Sequence, residues 1–269
     1  MEIITSKTNE KVRLVRALQE QRKAREREKL YVMEGARLVE EAAAAGARAR
    51  FILHDGHLGA RERSAVNRLA SAGGELLETT EDVLRSCSDT ATPAGLLAVL
   101  EWPELALPAP LEWVVIADGI SNPGNLGSLM RAAEAFGVQA LILASGSVDA
   151  FNPKVVRGGM GAHLRLPVRM LDWKEIRGLL AGFRIWLAEA REGGAVDTTD
   201  WSGPTALILG GEASGPGEAA RALATGTVNI PMRGKIESLN AAVAGGILLY
   251  EISRQRNSST MSRKKDRRM

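Results

Sequence analysis

The second half of the chain alternates apolar, strand-like segments with helical ones, and this order limits the possible folds more than any other feature. Five segments have the composition of buried strands: EWVVIAD, VQALILAS, FRIWLAEA, TALILGG and TVNIPM. Helical segments lie between and after them, at about 127–136, 153–161, 173–181, 217–223 and 237–254. Apolar strands separated by helices are typical of a parallel sheet covered on both faces. The sequence therefore predicts an α/β domain built on a parallel sheet.

The first hundred residues also alternate, on a smaller scale. Residues 11–27 form a charged helical pattern whose apolar positions are Val12, Val15 and Leu18. Further helical patterns are VMEGARLVEEAAAAG, residues 63–72 and EDVLRSC, and the strand-like segments are RFILH, ELLETT and GLLAVLEW. Together they predict a small N-terminal α/β domain.

Prolines and charge mark the domain boundaries. PELALPAP (residues 103–110) carries three prolines between structured segments, which is typical of a linker. The C-terminal segment is rich in serine and basic residues and poor in apolar ones, so it predicts disorder. We therefore predict an N-terminal domain, a linker, a second domain and a basic tail, over residues 1–102, 103–110, 111–256 and 257–269.

Composition excludes several classes of protein. The single cysteine, Cys87, excludes an internal disulfide and a cysteine-based zinc site, and the two histidines of His54–His57 lack further ligands nearby. The N-terminus has no apolar segment of signal-peptide length, and no apolar run is long enough to span a bilayer. These features predict a cytoplasmic protein that uses no metal and does not enter a membrane.

Positive charge is concentrated at the two ends of the chain, although the net charge is only +3. The segment from Lys7 to Arg37 contains ten Lys and Arg but only five Asp and Glu. The segment from Ile252 onwards contains seven Lys and Arg and one Asp. Basic segments of this kind favour a phosphate backbone as partner. Only 4% of residues are aromatic, so we expect recognition of shape and phosphates rather than a broad base-stacking platform. The candidate contacts are Lys7, Lys11, Arg13 and Arg16, or the cluster at 22–27.

Three loops rich in Gly and Asn each follow a predicted strand: SNPGNLGSLMR, GGEASGPG and IPMRGKIESLN. None of them matches a dinucleotide-binding G-x-G-x-x-G loop, and Ile236 after Gly234-Lys235 rules out a P-loop. Because the carboxyl ends of parallel strands meet at one edge of a sheet, we expect the three loops to form one site.

The residue types in these loops indicate how such a site would work. Glycines permit close backbone approach to a ligand. Asn125 can both donate and accept hydrogen bonds, and Arg131 can bind a phosphate through its two-pronged guanidinium. Glu212 is expected either to orient Arg131 or to cap the following turn. Ser238 is expected to cap the last helix, with Asn240 inside its first turn.

Three blocks carry a resemblance to a known family: DGISNPGNLGSLMRAAEAFGV, LILGGEASG and VNIPMRGKIESLNAAVAGGILLYE. They resemble the SpoU/TrmH family of RNA ribose 2′-O-methyltransferases, in the SPOUT superfamily, over about residues 111–256. The N-terminal stretches ITSKTNEKV, YVMEGARLVEEA and SDTATPAGLLAV resemble the substrate-binding domain that precedes many such enzymes. One departure is Gly159, where relatives often have Ser, and another is His163, where an apolar residue is common.

The resemblance implies a C-terminal trefoil knot, a homodimer with its sites near the interface, and S-adenosylmethionine as cofactor. It implies a catalytic centre formed by Asn125, Arg131, Glu212, Ser238 and Asn240. It also implies cofactor contacts from the backbone around Gly210, Gly211, Ile230, Met232 and Leu239.

The implied reaction is methyl transfer to a ribose 2′-hydroxyl, with ribosomal RNA as the favoured substrate. The sulfonium already activates the methyl group, so no metal is needed. We expect Arg131 to bind the target phosphate and stabilise the developing alkoxide, positioned by Asn125 and Glu212. Three alternatives stay open: methylation of a tRNA, methylation of a base, and a non-catalytic RNA-binding protein with this fold. A housekeeping role and an antibiotic-resistance role also stay open.

Overall fold

A computed structural model describes the backbone of residues 3–90, 92–212 and 215–266, and side chains as far as Asn257. Chain packing divides the protein into two compact units. The first consists of Met1–Glu104 with Asp149–Arg165, and the second of Leu105–Val148 with Leu166–Met269. The boundary after Glu104 falls inside the predicted linker. Asp149–Arg165 packs in the first unit, although it lies within the range predicted for the second domain.

The first unit is built around a small sheet with helices against it. Its elements up to the boundary are α1 (Glu10–Glu20), α2 (Arg22–Glu28), β1 (Leu30–Glu34), α3 (Ala36–Ala44), β2 (Ala49–His54), α4 (Ala60–Ser71), β3 (Glu75–Glu78), α5 (Glu81–Arg85) and β4 (Leu96–Glu101). The strand order is β1-β4-β2-β3, in which β4 is antiparallel to β1 and β2, while β2 and β3 are parallel. The small α/β domain predicted for this region is the one observed. Val12, Val15 and Leu18 are buried in its core.

Two local predictions for this region are wrong. The helix predicted over 11–27 is interrupted at Gln21, whose extended backbone separates α1 from α2. The helical pattern predicted from Val32 begins instead with strand β1, which pairs with β4, and the helix starts only after Gly35 at φ 95°. A non-local strand pairing therefore overrides the local helical periodicity.

The rest of the chain alternates strands and helices as predicted. Its elements are β5 (Trp113–Asp118), α6 (Pro123–Ala135), β6 (Ala140–Leu143), α7 (Pro153–Gly159), β7 (Val168–Met170), α8 (Trp173–Leu179), β8 (Arg184–Ala188), β9 (Gly194–Ala195), β10 (Thr205–Gly210), α9 (Glu218–Leu223), β11 (Gly226–Asn229) and α10 (Ala241–Asp266). A short 3₁₀ turn spans Ala162–Leu164. The sequence did not predict β7 and β9, which are only three and two residues long.

The strands of the second unit form one seven-stranded parallel sheet in the order β7-β6-β5-β10-β8-β11-β9. This confirms the predicted parallel-sheet α/β fold. Both faces of the central strands are covered, since every residue of β5 is buried. Because the sheet is parallel, the loops after β5, β10, β8 and β11 leave it at the same edge.

The segment Asp149–Arg165 is held in the first unit by a buried ion pair. Arg25 Nε donates to Asp149 Oδ2 at 2.7 Å, and both side chains are less than 5% exposed. The Phe151 ring packs against Tyr31 and stacks on Trp102. Each buried charge is thus paired, as burial of a charge requires.

The last helix, α10, packs closely on α6 and on the end of the sheet. A Cβ built on Gly245 would lie 2.7 Å from Leu129 Cδ1 and 3.1 Å from Leu209 Cδ1. The helix continues to Asp266, whereas the sequence predicts disorder from 257; the segment contains no Gly or Pro that would stop a helix. The last three residues of the predicted tail lie outside the described residues. Among those that are described, no helix is both long and apolar enough to cross a membrane.

Candidate active site

The loop after β5 leads directly into the capped start of α6. Asn122 is the N-cap: its Oδ1 accepts hydrogen bonds from the backbone N–H of Gly124 and Asn125, at 2.8 and 3.3 Å. Pro123 occupies the first helical position, where its missing N–H costs nothing. Asn122 was not among the predicted site residues, although Asn-Pro before a helical pattern is itself a helix-start signal. This cap fixes the backbone that carries Asn125.

The loop after β10 is packed tightly against the end of β5. Gly211 N donates to Asp118 O at 2.8 Å, and a Cβ on Gly211 would lie 2.1 Å from Gly119 O. A Cβ on Gly210 would lie 2.5 Å from Pro216 N. These two glycines are therefore required by close backbone approach. The carboxylate of Asp118, which sequence reasoning missed, accepts a hydrogen bond from Gly217 N at 2.7 Å and closes the loop.

The loop after β11 ends at the cap of α10, and the cap is Asn240. Its Oδ1 accepts hydrogen bonds from Ala242 N and Val243 N, at 3.0 and 3.2 Å. The prediction that Ser238 caps this helix is wrong, because the helix begins at Ala241 rather than near 237. Ser238 lies in the preceding loop with an exposed side chain.

A chain of three side chains joins the three loops. Asn240 Nδ2 donates to Asn125 Oδ1 at 3.0 Å, and Asn125 Nδ2 donates to Glu212 Oε1 in a short hydrogen bond. The sheet therefore brings together the loops that the sequence predicts to converge. Glu212 is bonded to Asn125, and no hydrogen bond or ion pair links it to Arg131 in the part of the chain that the structure describes.

Arg131 lies on α6 with an exposed side chain. Within the described residues, its guanidinium makes no hydrogen bond and no ion pair. It does not line the cavity formed by the loops. Its five donors are therefore available to an anionic ligand at the surface of α6.

A cavity of about 420 Å³ lies at this edge of the sheet, within the usual size range of small-molecule sites. All five residues predicted to contact the cofactor line it: Gly210, Gly211, Ile230, Met232 and Leu239. Glu212, Ser238 and Asn240 line the cavity too. Asn125 is not in the lining, but its side chain is hydrogen-bonded to Glu212 and to Asn240.

The cavity wall suits the edge and face of an adenine base. Ile230, Met232 and Leu239 supply half-buried apolar side chains. The backbone N–H groups of Met232 and Leu239 donate to no other described residue, so they can donate to a ligand. No group of three or more metal-ligating His, Cys, Asp or Glu side chains occurs among the residues that the structure describes.

One cavity residue has no counterpart in the sequence analysis. Glu189 follows β8 and lines the cavity, and its Oε1 accepts a hydrogen bond from Arg221 Nη1 at 2.5 Å. A single acidic residue after a strand carries no recognisable local pattern, so sequence reasoning had no reason to select it.

Two protein-family models match this chain, one over each of its α/β regions. The model of the SpoU rRNA Methylase family matches residues 112–250. The model of the MRM3-like substrate binding domain matches residues 9–98. The two matches cover the two α/β regions predicted from the sequence.

Curated relatives and solved structures match over nearly the whole chain. The 23S rRNA (guanosine(2553)-2′-O)-methyltransferase RlmP of Bacillus subtilis is 31% identical over 94% of this chain and 99% of its own. The 23S rRNA (uridine(2479)-2′-O)-methyltransferase of Streptomyces viridochromogenes is 35% identical over 95% of this chain and 93% of its own. The crystal structure of the SpoU methyltransferase AviRb from that organism, in complex with the cofactor AdoMet, superposes with a TM-score of 0.83 at 30% identity. That superposition covers 93% of this chain and 99% of AviRb.

Proposed function

The chain belongs to the SpoU rRNA methylase family, and we propose that it transfers the methyl group of S-adenosylmethionine to a ribose 2′-hydroxyl of ribosomal RNA. The single observation that carries the proposal is the cavity at the carboxyl end of the parallel sheet. The loops after β10 and β11 line this cavity, and hydrogen bonds of Asn125 with Asn240 and Glu212 join the start of α6 to both of them. Two of its relatives are named as 23S rRNA 2′-O-methyltransferases, and one solved neighbour contains AdoMet.

The cofactor would be held mainly by backbone groups. Gly210 and Gly211 present backbone without a side chain to the cavity. The N–H groups of Met232 and Leu239, which donate to no other described residue, would donate to the adenine edge. When bound, S-adenosylmethionine supplies a methyl group already activated by its sulfonium. The protein's task is then to align the attacking hydroxyl and to manage its proton.

Arg131 would bind the phosphate next to the target ribose and stabilise negative charge on the attacking oxygen. Its guanidinium is exposed and makes no bond to another described residue, so it can adopt the geometry that a phosphate requires. Arginine stays protonated in proteins, so Arg131 is unsuited to be the general base. The hydroxyl proton would leave through the substrate phosphate or a water molecule. The bond between Asn125 and Glu212 would hold the first turn of α6, and neither residue would contact Arg131 directly.

The first unit would supply affinity for RNA, and the structure narrows the set of candidate contacts. Lys7 and Lys11 form ion pairs with Asp82 and Glu75, and Arg25 is buried. Arg13, Arg16 and Lys23 are exposed and form no ion pair with another described residue. We therefore favour these three residues as phosphate contacts.

Homodimer formation is part of the same proposal, as are the trefoil knot and a cytoplasmic location. The support for a dimer is an exposed apolar face on α10, where Val243, Ile247 and Tyr250 are 52%, 41% and 56% exposed. Their spacing of four and three residues places them on one side of the helix. Exposed apolar faces of this kind mark association surfaces, and a second copy would bury this one.

The proposed function is tested by methyl transfer to RNA. The purified protein is incubated with methyl-labelled S-adenosylmethionine and total RNA from cells that lack the corresponding gene. Label in large ribosomal RNA, at a linkage that resists alkaline hydrolysis, is the expected result. Label in the tRNA fraction would replace rRNA with tRNA as the substrate. If neither label nor cofactor binding is observed, the chain is a non-catalytic RNA-binding protein with this fold.

A further inference from the structure

Glu189 occupies a central position at the ligand-binding edge of the sheet. It follows β8, which pairs in parallel with β10 on one side and β11 on the other. Glu189 N donates to Val228 O at 2.9 Å, so the hydrogen bonding between β8 and β11 extends to this residue. Its place in the cavity wall is therefore set by backbone hydrogen bonds.

One oxygen of the Glu189 carboxylate is hydrogen-bonded, and the other accepts no hydrogen bond from a described residue. Its side chain is only 16% exposed, and Arg221 Nη1 on α9 donates to Oε1 at 2.5 Å. The second oxygen, Oε2, accepts no hydrogen bond from another residue in the described ranges. Because Glu189 lines the cavity, a ligand bound there can supply a donor to this oxygen.

The position and charge of Glu189 indicate which part of the cofactor it contacts. Arg221 already neutralises the carboxylate, so a neutral donor such as a hydroxyl suits Oε2 better than a second cation. Under the proposed function, the methyl-donating end of the cofactor would lie near Asn125 and Glu212, which follow β5 and β10. Glu189 lies beyond Gly210, on the opposite side of β10, where the nucleoside would extend. An acidic side chain in the crevice of a parallel sheet is well suited to accept ribose hydroxyls.

Resting on the proposed function, we infer that Glu189 accepts hydrogen bonds from the ribose hydroxyls of bound S-adenosylmethionine. Arg221 acts as a positioning residue, because it holds Oε1 and thereby sets the direction of Oε2. The contact makes Glu189 a determinant of cofactor affinity and of selectivity for a ribose over a deoxyribose.

Calorimetric binding of S-adenosylhomocysteine and of its 2′-deoxy and 3′-deoxy analogues tests this contact without turnover. We expect Glu189→Gln to weaken binding of S-adenosylhomocysteine by ~10- to 100-fold, the range for hydrogen bonds to a charged group. For the analogue that lacks the contacted hydroxyl, the wild-type protein and the variant should bind about equally. Glu192→Gln, at an exposed acid three residues away and outside the cavity lining, is the matched control and should bind like the wild type.

Several results would overturn the assignment. Equal affinity of Glu189→Gln and wild type for S-adenosylhomocysteine would show that Glu189 does not contact the cofactor. If Glu189→Gln weakens binding of the deoxy analogues as much as that of S-adenosylhomocysteine, but does not weaken binding of the 6-deamino analogue, Glu189 contacts the adenine instead of the ribose. If the wild type itself binds no S-adenosylhomocysteine, the proposed function fails rather than this inference.

A second variant covers the case in which Glu189→Gln does not fold. Arg221 is half exposed, so Arg221→Gln should keep the thermal transition of the wild type. It should weaken S-adenosylhomocysteine binding several-fold and leave binding of the affected deoxy analogue unchanged. Unchanged affinity of Arg221→Gln for all three ligands would contradict its positioning role.

Discussion

Asn240 Nδ2 donates to Asn125 Oδ1 at 3.0 Å, so one hydrogen bond joins two residues that are 115 positions apart. The other atom of the same amide group, Asn240 Oδ1, caps α10. One residue therefore sets both where the last helix begins and how the loop after β5 is held. The two roles use different atoms, Oδ1 for the cap and Nδ2 for the loop, so substitutions can separate them.

Asn240→Asp should lose activity while keeping stability. Aspartate caps helices as well as asparagine does and adds a favourable charge at the helix N-terminus, but it cannot donate to Asn125. We expect its unfolding free energy to stay within about 0.5 kcal/mol of the wild type, and its methyl-transfer rate to fall. Asn240→Ala loses the cap as well and should be less stable by about 1 kcal/mol. Urea unfolding and single-turnover methyl transfer measure the two effects, and full activity of Asn240→Asp would contradict the role of the bond.

Arg131→Lys should reduce methyl transfer without affecting folding. Lysine keeps the positive charge but loses the two-pronged geometry that fits a phosphate, so we expect the rate to fall by ~10- to 100-fold. Cofactor affinity should not change, because Arg131 does not line the cavity. Arg177→Lys, at an exposed position on α8, is the control. If Lys at 131 retains most of the wild-type rate, the bidentate role is wrong.

Two adjacent glycines of α10 should respond in opposite directions to alanine. Gly245→Ala places a methyl group 2.7 Å from Leu129 Cδ1, so we expect a loss of about 1–3 kcal/mol from overpacking. In its own chain Gly246→Ala meets nothing within 4 Å, so at concentrations where the protein is monomeric it should stabilise the helix by up to about 1 kcal/mol. Urea unfolding of both variants at equal protein concentration decides this. Equal effects of the two substitutions would show that α10 does not pack on α6 as described.

The stability of the protein should fall as the pH drops below about 6.5. Burial lowers the pKa of His163 from its ordinary 6.5 to about 4, so the unfolded chain binds a proton that the folded chain refuses. This contribution is complete above pH 6.5 and is lost toward pH 4, with a slope of at most about 1.4 kcal/mol per pH unit. Burial also lowers the pKa of His54, which adds to the loss in the same direction.

Unfolding free energies between pH 7.5 and 5 would test this dependence. His163→Gln can still donate to Ala150 O, the partner of His163 Nε2, but cannot take up a proton. Its pH slope should therefore be smaller than that of the wild type. The same substitution at the exposed His57 is the control and should leave the slope unchanged. A wild-type slope in His163→Gln would exclude this histidine as the source.

Much of the site could be predicted from the sequence because its parts are local patterns. The glycines at 210 and 211, the segment SNPGNLGSLMR and the loop before α10 each follow a strand, and a parallel sheet necessarily gathers such loops at one edge. The prediction for Ser238 failed because Ser238 and Asn240 are both good capping residues, and Asn240 is the one that accepts hydrogen bonds from Ala242 N and Val243 N. Glu189 was missed because only the pairing of β8 with its neighbours brings it to the cavity.

The sequence by itself determined the order of the strands of four or more residues and of the helices in the second unit, the parallel sheet and the identity of the loops that meet at its edge. Periodicity and composition fix these features because side chains only one or two turns apart decide them. The tertiary structure alone decided that Leu30–Glu34 is a strand, that Asp149–Arg165 packs in the first unit through Arg25, and that Glu189 lines the cavity. Each of these depends on a partner distant in the chain, and the energy of that contact exceeds the local preference of the residues involved.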